Sequence, residues 1–102
     1  MDDSDRQIIR VRICGAVQRV GFRYWLARQA QAVGLEGWVR NRADGTVEAL
    51  LAGEKDAVLS MLRACETGPP RARVAEIDAS PGSEKDLSLR DPSALFDILP
   101  TD

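Results

Sequence analysis

The sequence predicts an α+β sandwich, one antiparallel four-stranded sheet with two helices on one face. Three observations point to it. Segments alternating apolar and polar residues interleave with two segments of helical period, in the order strand, helix, strand, strand, helix, strand. An Asp-Gly pair, Asp44-Gly45, stands where the second strand turns into the third. Hydrophobic content of 44% over 102 residues argues against a disordered chain and for a single domain, 1–102, with its core about 7–99.

Ile8 to Cys14 alternates, with Ile9, Val11 and Ile13 on one side and Arg10, Arg12 and Cys14 on the other, as in a half-buried strand. Phe22 to Val33 has the helical period: Phe22, Leu26, Ala30 and Val33 line one face, with Trp25 beside them. Gly34 is placed to end that helix in a left-handed conformation. Leu35 to Asn41 reads as the second strand, with Leu35, Gly37, Val39 and Asn41 on one side and Trp38 on the other. After the Arg42-Ala43-Asp44-Gly45 turn, Thr46 to Ala52 forms the third strand.

Gly53 to Cys65 reads as the second helix, its inner face made of Val58, Met61, Leu62 and Cys65, and Gly68-Pro69-Pro70 stops it. Arg73 to Ala79 is a less regular strand containing Val74 and Ile77. Ser80 to Pro92 is polar and turn-rich and is read as a loop, with Leu95 to Leu99 a candidate short fifth strand. Two strand-helix-strand halves give the split, ferredoxin-like arrangement βαββαβ, whose open face should carry Arg10 and Arg12.

Composition narrows the function. A net charge of −2 gives no basic footprint, so any anion site must be local and nucleic acid is disfavoured. The first strand also offers no aromatic on its open side for stacking bases. The chain has no histidine, which removes most zinc sites and histidine triads. Cys14 and Cys65 match no zinc spacing, and their opposite placements argue against a disulfide. The opening MDDSDRQ lacks the features of a signal peptide, and no apolar run is long enough to span a membrane. A cytoplasmic protein without membrane attachment is the expectation, and a monomer, because no long apolar surface stripe is left over.

Between the first strand and the first helix lies GAVQRVGFR, residues Gly15 to Arg23. The loop Gly15, Ala16, Val17, Gln18, Arg19, Val20, Gly21 leads into a helix whose first N–H groups lack internal partners and carry the positive end of the dipole. Such a loop can cradle a phosphate, and Arg23 in the first helical turn can add a forked contact. No Lys-Ser or Lys-Thr follows the second glycine, as a Walker loop would require, and the dinucleotide fingerprint is absent.

Taken with Gly37-Trp38-Val39-Arg40-Asn41 and Asp44-Gly45-Thr46-Val47-Glu48, this stretch closely resembles the acylphosphatase family. The likeness covers roughly residues 9 to 80, and Phe96 to Thr101 is similar, more loosely, to the family's last strand. The resemblance implies a small ferredoxin-like enzyme that hydrolyses the carboxyl–phosphate bond of acyl phosphates, a small-molecule substrate, with no metal or cofactor. It implies that Gly15 to Gly21 is the phosphate loop, that Arg23 binds the phosphate and that Asn41 orients the attacking water. Gln18 and Val20 are expected to shape the loop, Trp38 to pack, and Cys14 to have no catalytic role.

One position departs from the family. Where the pattern reads V-Q-G-V, this chain reads Val17-Gln18-Arg19-Val20. If position 19 needs positive φ, arginine strains the loop; if not, its guanidinium adds positive charge at the mouth of the site without touching the phosphate. The alternative to an enzyme is a non-catalytic module on the same fold that grips a phosphate or a partner, its loop altered at Arg19. The presence of both Arg23 and Asn41 favours the enzyme, since a pure binder has no use for the asparagine.

Overall fold

A computed structural model describes residues 5–102. Strand β1 (Arg6–Ala16) leads to helix α1 (Phe22–Ala32), strands β2 (Glu36–Asn41) and β3 (Val47–Glu54), helix α2 (Lys55–Thr67) and strand β4 (Arg73–Pro81). A single helical turn, α3 (Glu84–Leu87), and a short strand, β5 (Phe96–Ile98), complete the chain. The five strands lie in the order β4-β1-β3-β2-β5. The four long ones are antiparallel, whereas β5 runs parallel to β2, so the sheet is mixed rather than wholly antiparallel.

Strand alternation places the core where the sequence puts it. Val11 and Ile13 of β1, Val39 of β2, and Val47, Ala49 and Leu51 of β3 are fully buried. They pack with Phe22, Leu26 and Ala30 of α1 and Val58, Met61 and Cys65 of α2. Gly34 takes φ 75 just past α1, as its role in ending the helix requires. Val33 differs from expectation: it is 51% exposed, because α1 is already closing at that residue.

Two further boundaries shift. Gly53 and Glu54 belong to β3, where they pair with Gln7 and Arg6, so α2 starts at Lys55. The segment read as a loop from Ser80 contains the end of β4 and then α3. Ser83 caps that turn by accepting a hydrogen bond from the Asp86 amide at 3.2 Å, while the Asp86 carboxylate accepts from the Ser83 amide at 3.0 Å. Leu87 then lies on Trp38, Leu50 and Ala52, and the Trp38 indole donates to the Asp86 carbonyl at 2.8 Å. The face expected to be open is therefore partly covered.

What remains of that face is a charge network around Glu48. Arg40 and Arg42 donate to its carboxylate at 2.8 Å each, and Arg10 stands 3.5 Å away. Arg10 also pairs with Asp86 and Arg12 with Asp44. Burial pushes the Glu48 carboxyl up, but the hydrogen bonds from Arg42 and Arg40 outweigh it and hold the group below its ordinary value.

Candidate active site

Near its end β1 bulges between Cys14 and Gly15, where its register against β4 shifts. Gly15 has φ 128, and a Cβ there would stand 2.3 Å from the Arg73 carbonyl oxygen, so only glycine fits. Gly15 and Ala16 still pair with Val74 and Arg73. The sequence boundary is thus corrected: these two residues belong to the strand, and the free loop is 17–21.

Each loop residue has a distinct task. Val17 is buried and anchors the loop in the core, and Val20 packs half-buried against it. The Gln18 amide donates to the carbonyls of Arg42 and Thr46 at 2.8 and 2.9 Å, tying the loop to the β2–β3 turn. Arg19 takes φ 64, the one non-glycine positive φ among the described residues. Position 19 therefore does use the left-handed region, and the Arg19 side chain lines the cleft below it. Gly21, at φ 79, opens α1.

α1 begins with no side-chain cap and no acidic residue in its first turn. Its unpaired N–H groups and positive dipole end are left for a ligand. Arg23 stands in that first turn. Asn41 arrives from the last position of β2, on the helix side of the sheet, with its backbone carbonyl accepting from the Asp102 amide at 3.1 Å.

Arg19, Gly21, Arg23 and Asn41 line one cleft of about 240 Å³, with Val17, Phe22, Tyr24 and Ile98 as its apolar part. That is smaller than the volumes, on the order of 300–1,000 Å³, that hold drug-sized ligands. None of the described residues lining it is acidic. Among the described residues, Arg19 and Arg23 have no carboxylate within ion-pair distance, unlike the arginines around Glu48. The cleft is thus a local positive site in an acidic protein.

Of the residues singled out from sequence, the cleft gathers Val17, Arg19, Gly21, Arg23 and Asn41. Gly15, Ala16, Gln18 and Val20 support it from outside the lining. Tyr24 and Ile98 line it without having been singled out. Tyr24 lies off the apolar stripe of α1, and Ile98 lies in a tail with little periodicity, so neither gave a signal. The two cysteines are free, and burial raises the Cys65 thiol to about 12.

Comparison with known proteins agrees. The acylphosphatase family model matches residues 9–91. An acylphosphatase of Bradyrhizobium diazoefficiens is 48% identical over 96 residues, covering 94% of this chain and 97% of the relative. One from Rhodopseudomonas palustris is 51% identical over 96 residues, covering 93% and 97%. The solved structure of an acylphosphatase from Coxiella burnetii superposes with a TM-score of 0.82 at 26% identity, covering 97% of this chain and 98% of that one. A match along nearly the whole length, with relatives about half identical, places this chain in the acylphosphatase family.

Proposed function

We propose that this member of the family hydrolyses acyl phosphates without a metal or cofactor, with the 17–21 loop and Arg23 holding the phosphate and Asn41 placing the attacking water. The observation that supports these roles is the convergence of Arg23, from α1, and Asn41, from the end of β2, on one cleft with no acidic residue among the described ones that line it.

The chemistry asks little more of the protein. Water attacks phosphorus in line, the phosphorus–oxygen bond to the acyl group breaks, and its electron pair leaves with the carboxylate. Both protons of the water end on the phosphate, giving a carboxylate and dihydrogen phosphate. A carboxylate departs without a strong general acid, so the absence of histidine is no handicap. Charge spreads over the peripheral phosphoryl oxygens in a loose transition state. Loop and helix N–H groups and the Arg23 guanidinium are suited to meet that charge. The Asn41 amide carries both a donor and an acceptor, which suits it to orient a water.

Two free thiols, one of them buried, support a reducing, cytoplasmic setting. No described helix is long and apolar enough to cross a membrane. The few exposed large apolar residues, two of them at the cleft, support a monomer acting on a small molecule rather than on nucleic acid.

The test is hydrolysis of benzoyl phosphate with chelator present, beside Asn41→Ala and Arg23→Ala. We expect metal-independent turnover by the wild type. Asn41→Ala should lose about 10²–10³-fold in kcat while still binding phosphate, the usual loss when one preorganised polar contact is removed. Arg23→Ala should lose phosphate binding as well. Phosphate binding by the wild type without turnover would leave a binding module and refute the proposal.

A further inference from the structure

We propose that Tyr24 and Ile98 form the acyl-group side of the cleft and select acyl phosphates with an aromatic or extended hydrocarbon acyl group over small acyl groups. This rests on the reading of the cleft floor as the phosphate site.

Single exposed apolar side chains are ordinary on protein surfaces. These two are not scattered. Tyr24 is 63% exposed and Ile98 42% exposed, and both line the cleft that holds Arg23 and Asn41. They arrive from different elements, Tyr24 from α1 beside Arg23 and Ile98 from β5. Ile98 pairs with Val39, two residues before Asn41 on β2. Both rim residues are thus held by the elements that carry the polar floor. The Arg28 guanidinium lies 5.7 Å from the Tyr24 ring centre, a cation–π contact that steadies the ring.

A phosphate seated on the loop and Arg23 must direct its acyl substituent outward, because the floor is enclosed by the buried Val17 and Phe22. At the mouth that substituent meets an exposed ring and a branched aliphatic side chain. A phenyl or hydrocarbon group there removes apolar surface from water on both partners, whereas an acetyl or carbamoyl group is too short to cover them.

The test uses two acylphosphonates, which keep the acyl group and the dianion but lack the bridging anhydride oxygen whose bond to phosphorus would break. Their dissociation constants are measured by calorimetry for the wild type, Tyr24→Ala, Tyr24→Phe and Ile98→Ala. Benzoylphosphonate should bind the wild type about tenfold tighter than acetylphosphonate, from the area the phenyl ring covers. Tyr24→Ala and Ile98→Ala should each narrow that ratio, Tyr24→Ala to about twofold, and Tyr24→Phe should keep it. Equal binding of the two by the wild type, or a ratio unchanged in both alanine variants, overturns the acyl side of the cleft and leaves the phosphate floor standing. Binding of neither overturns the floor itself and the inference with it.

Discussion

Replacing Arg19 by glycine should stabilise this protein, and the backbone sets the amount. Arg19 sits at φ 64, where an L side chain crowds the following carbonyl at a cost of about 1–2 kcal/mol. Glycine removes that crowding but loses more chain entropy on folding, about 0.5–1 kcal/mol. The exposed Arg19 side chain makes no ion pair among the described residues, so little else is lost. The net expectation is a gain of about 0.5–1 kcal/mol, or roughly 2–8 °C in Tm for a domain of this size. Arg19→Ala is the control: it removes the same guanidinium and keeps the crowded backbone, so it should not stabilise. Urea unfolding followed by tryptophan fluorescence measures both. Calorimetric titration with inorganic phosphate measures the charge, whose removal should change affinity no more than about tenfold in either variant. If Arg19→Ala stabilises as much as Arg19→Gly, or if the glycine variant is less stable, the backbone reasoning fails. A gain in turnover well beyond tenfold in the glycine variant alone would show that arginine holds the loop away from its working geometry.

The charge network and the loop tie give two more expectations. Glu48 is held below its ordinary carboxylate value in the folded protein, so its contribution is complete above the unfolded value, about 4.3, and is lost as pH falls through the lower folded one. The urea midpoint should therefore drop between about pH 5 and 3; Glu48→Gln should be about 1–3 kcal/mol less stable at pH 7 and lose less on acidification. Asp44 and Glu36 are also held low, Asp44 by the Thr46 hydroxyl and amide and Glu36 chiefly by Arg6, so some acid sensitivity should remain in that variant. Gln18→Ala should cost only about 1 kcal/mol, because the Arg42 and Thr46 carbonyls keep backbone partners, yet lower kcat by about 10–100-fold by loosening the loop against the hairpin that carries Asn41.

Much of this molecule was legible because its signals are local. Alternation in β1 and β2, the stripe of α2 and the Asp44-Gly45 turn each follow from residues a few positions apart. Misses occurred where long-range contacts decide. Val33 completes the helical stripe of α1 but points outward because the helix ends beneath it. Gly53 looks like a helix start but is held in β3 by Gln7, more than forty positions away. α3 did carry a local sign, the Ser83-x-x-Asp86 capping box before Leu87, hidden within a polar stretch. The loop pointed to Arg23, and the likeness of Gly37 to Glu48 to the acylphosphatase motif pointed to Asn41, but only the fold brings Tyr24 and Ile98 to the same cleft.

How an acidic chain can offer the proposed dianion site follows from where its carboxylates are spent. At physiological salt a charge is felt over about 8 Å, so the total of −2 matters less than the charges beside the ligand. Glu48, Asp44 and Asp86 each have an arginine within 3.5 Å, and such pairs act at a distance as weak dipoles. Those pairs lie on the sheet face turned away from α1 and α2. On the helix side, α1 starts without an acid in its first turn, and Arg19 and Arg23 line the cleft with no carboxylate partner among the described residues. An acid introduced in that first turn would act at the same short range and oppose phosphate directly, whereas one added beside Glu48 would mainly reorganise pairs that already exist. The distribution of pairing, more than the sum of charges, decides which ion this surface can hold.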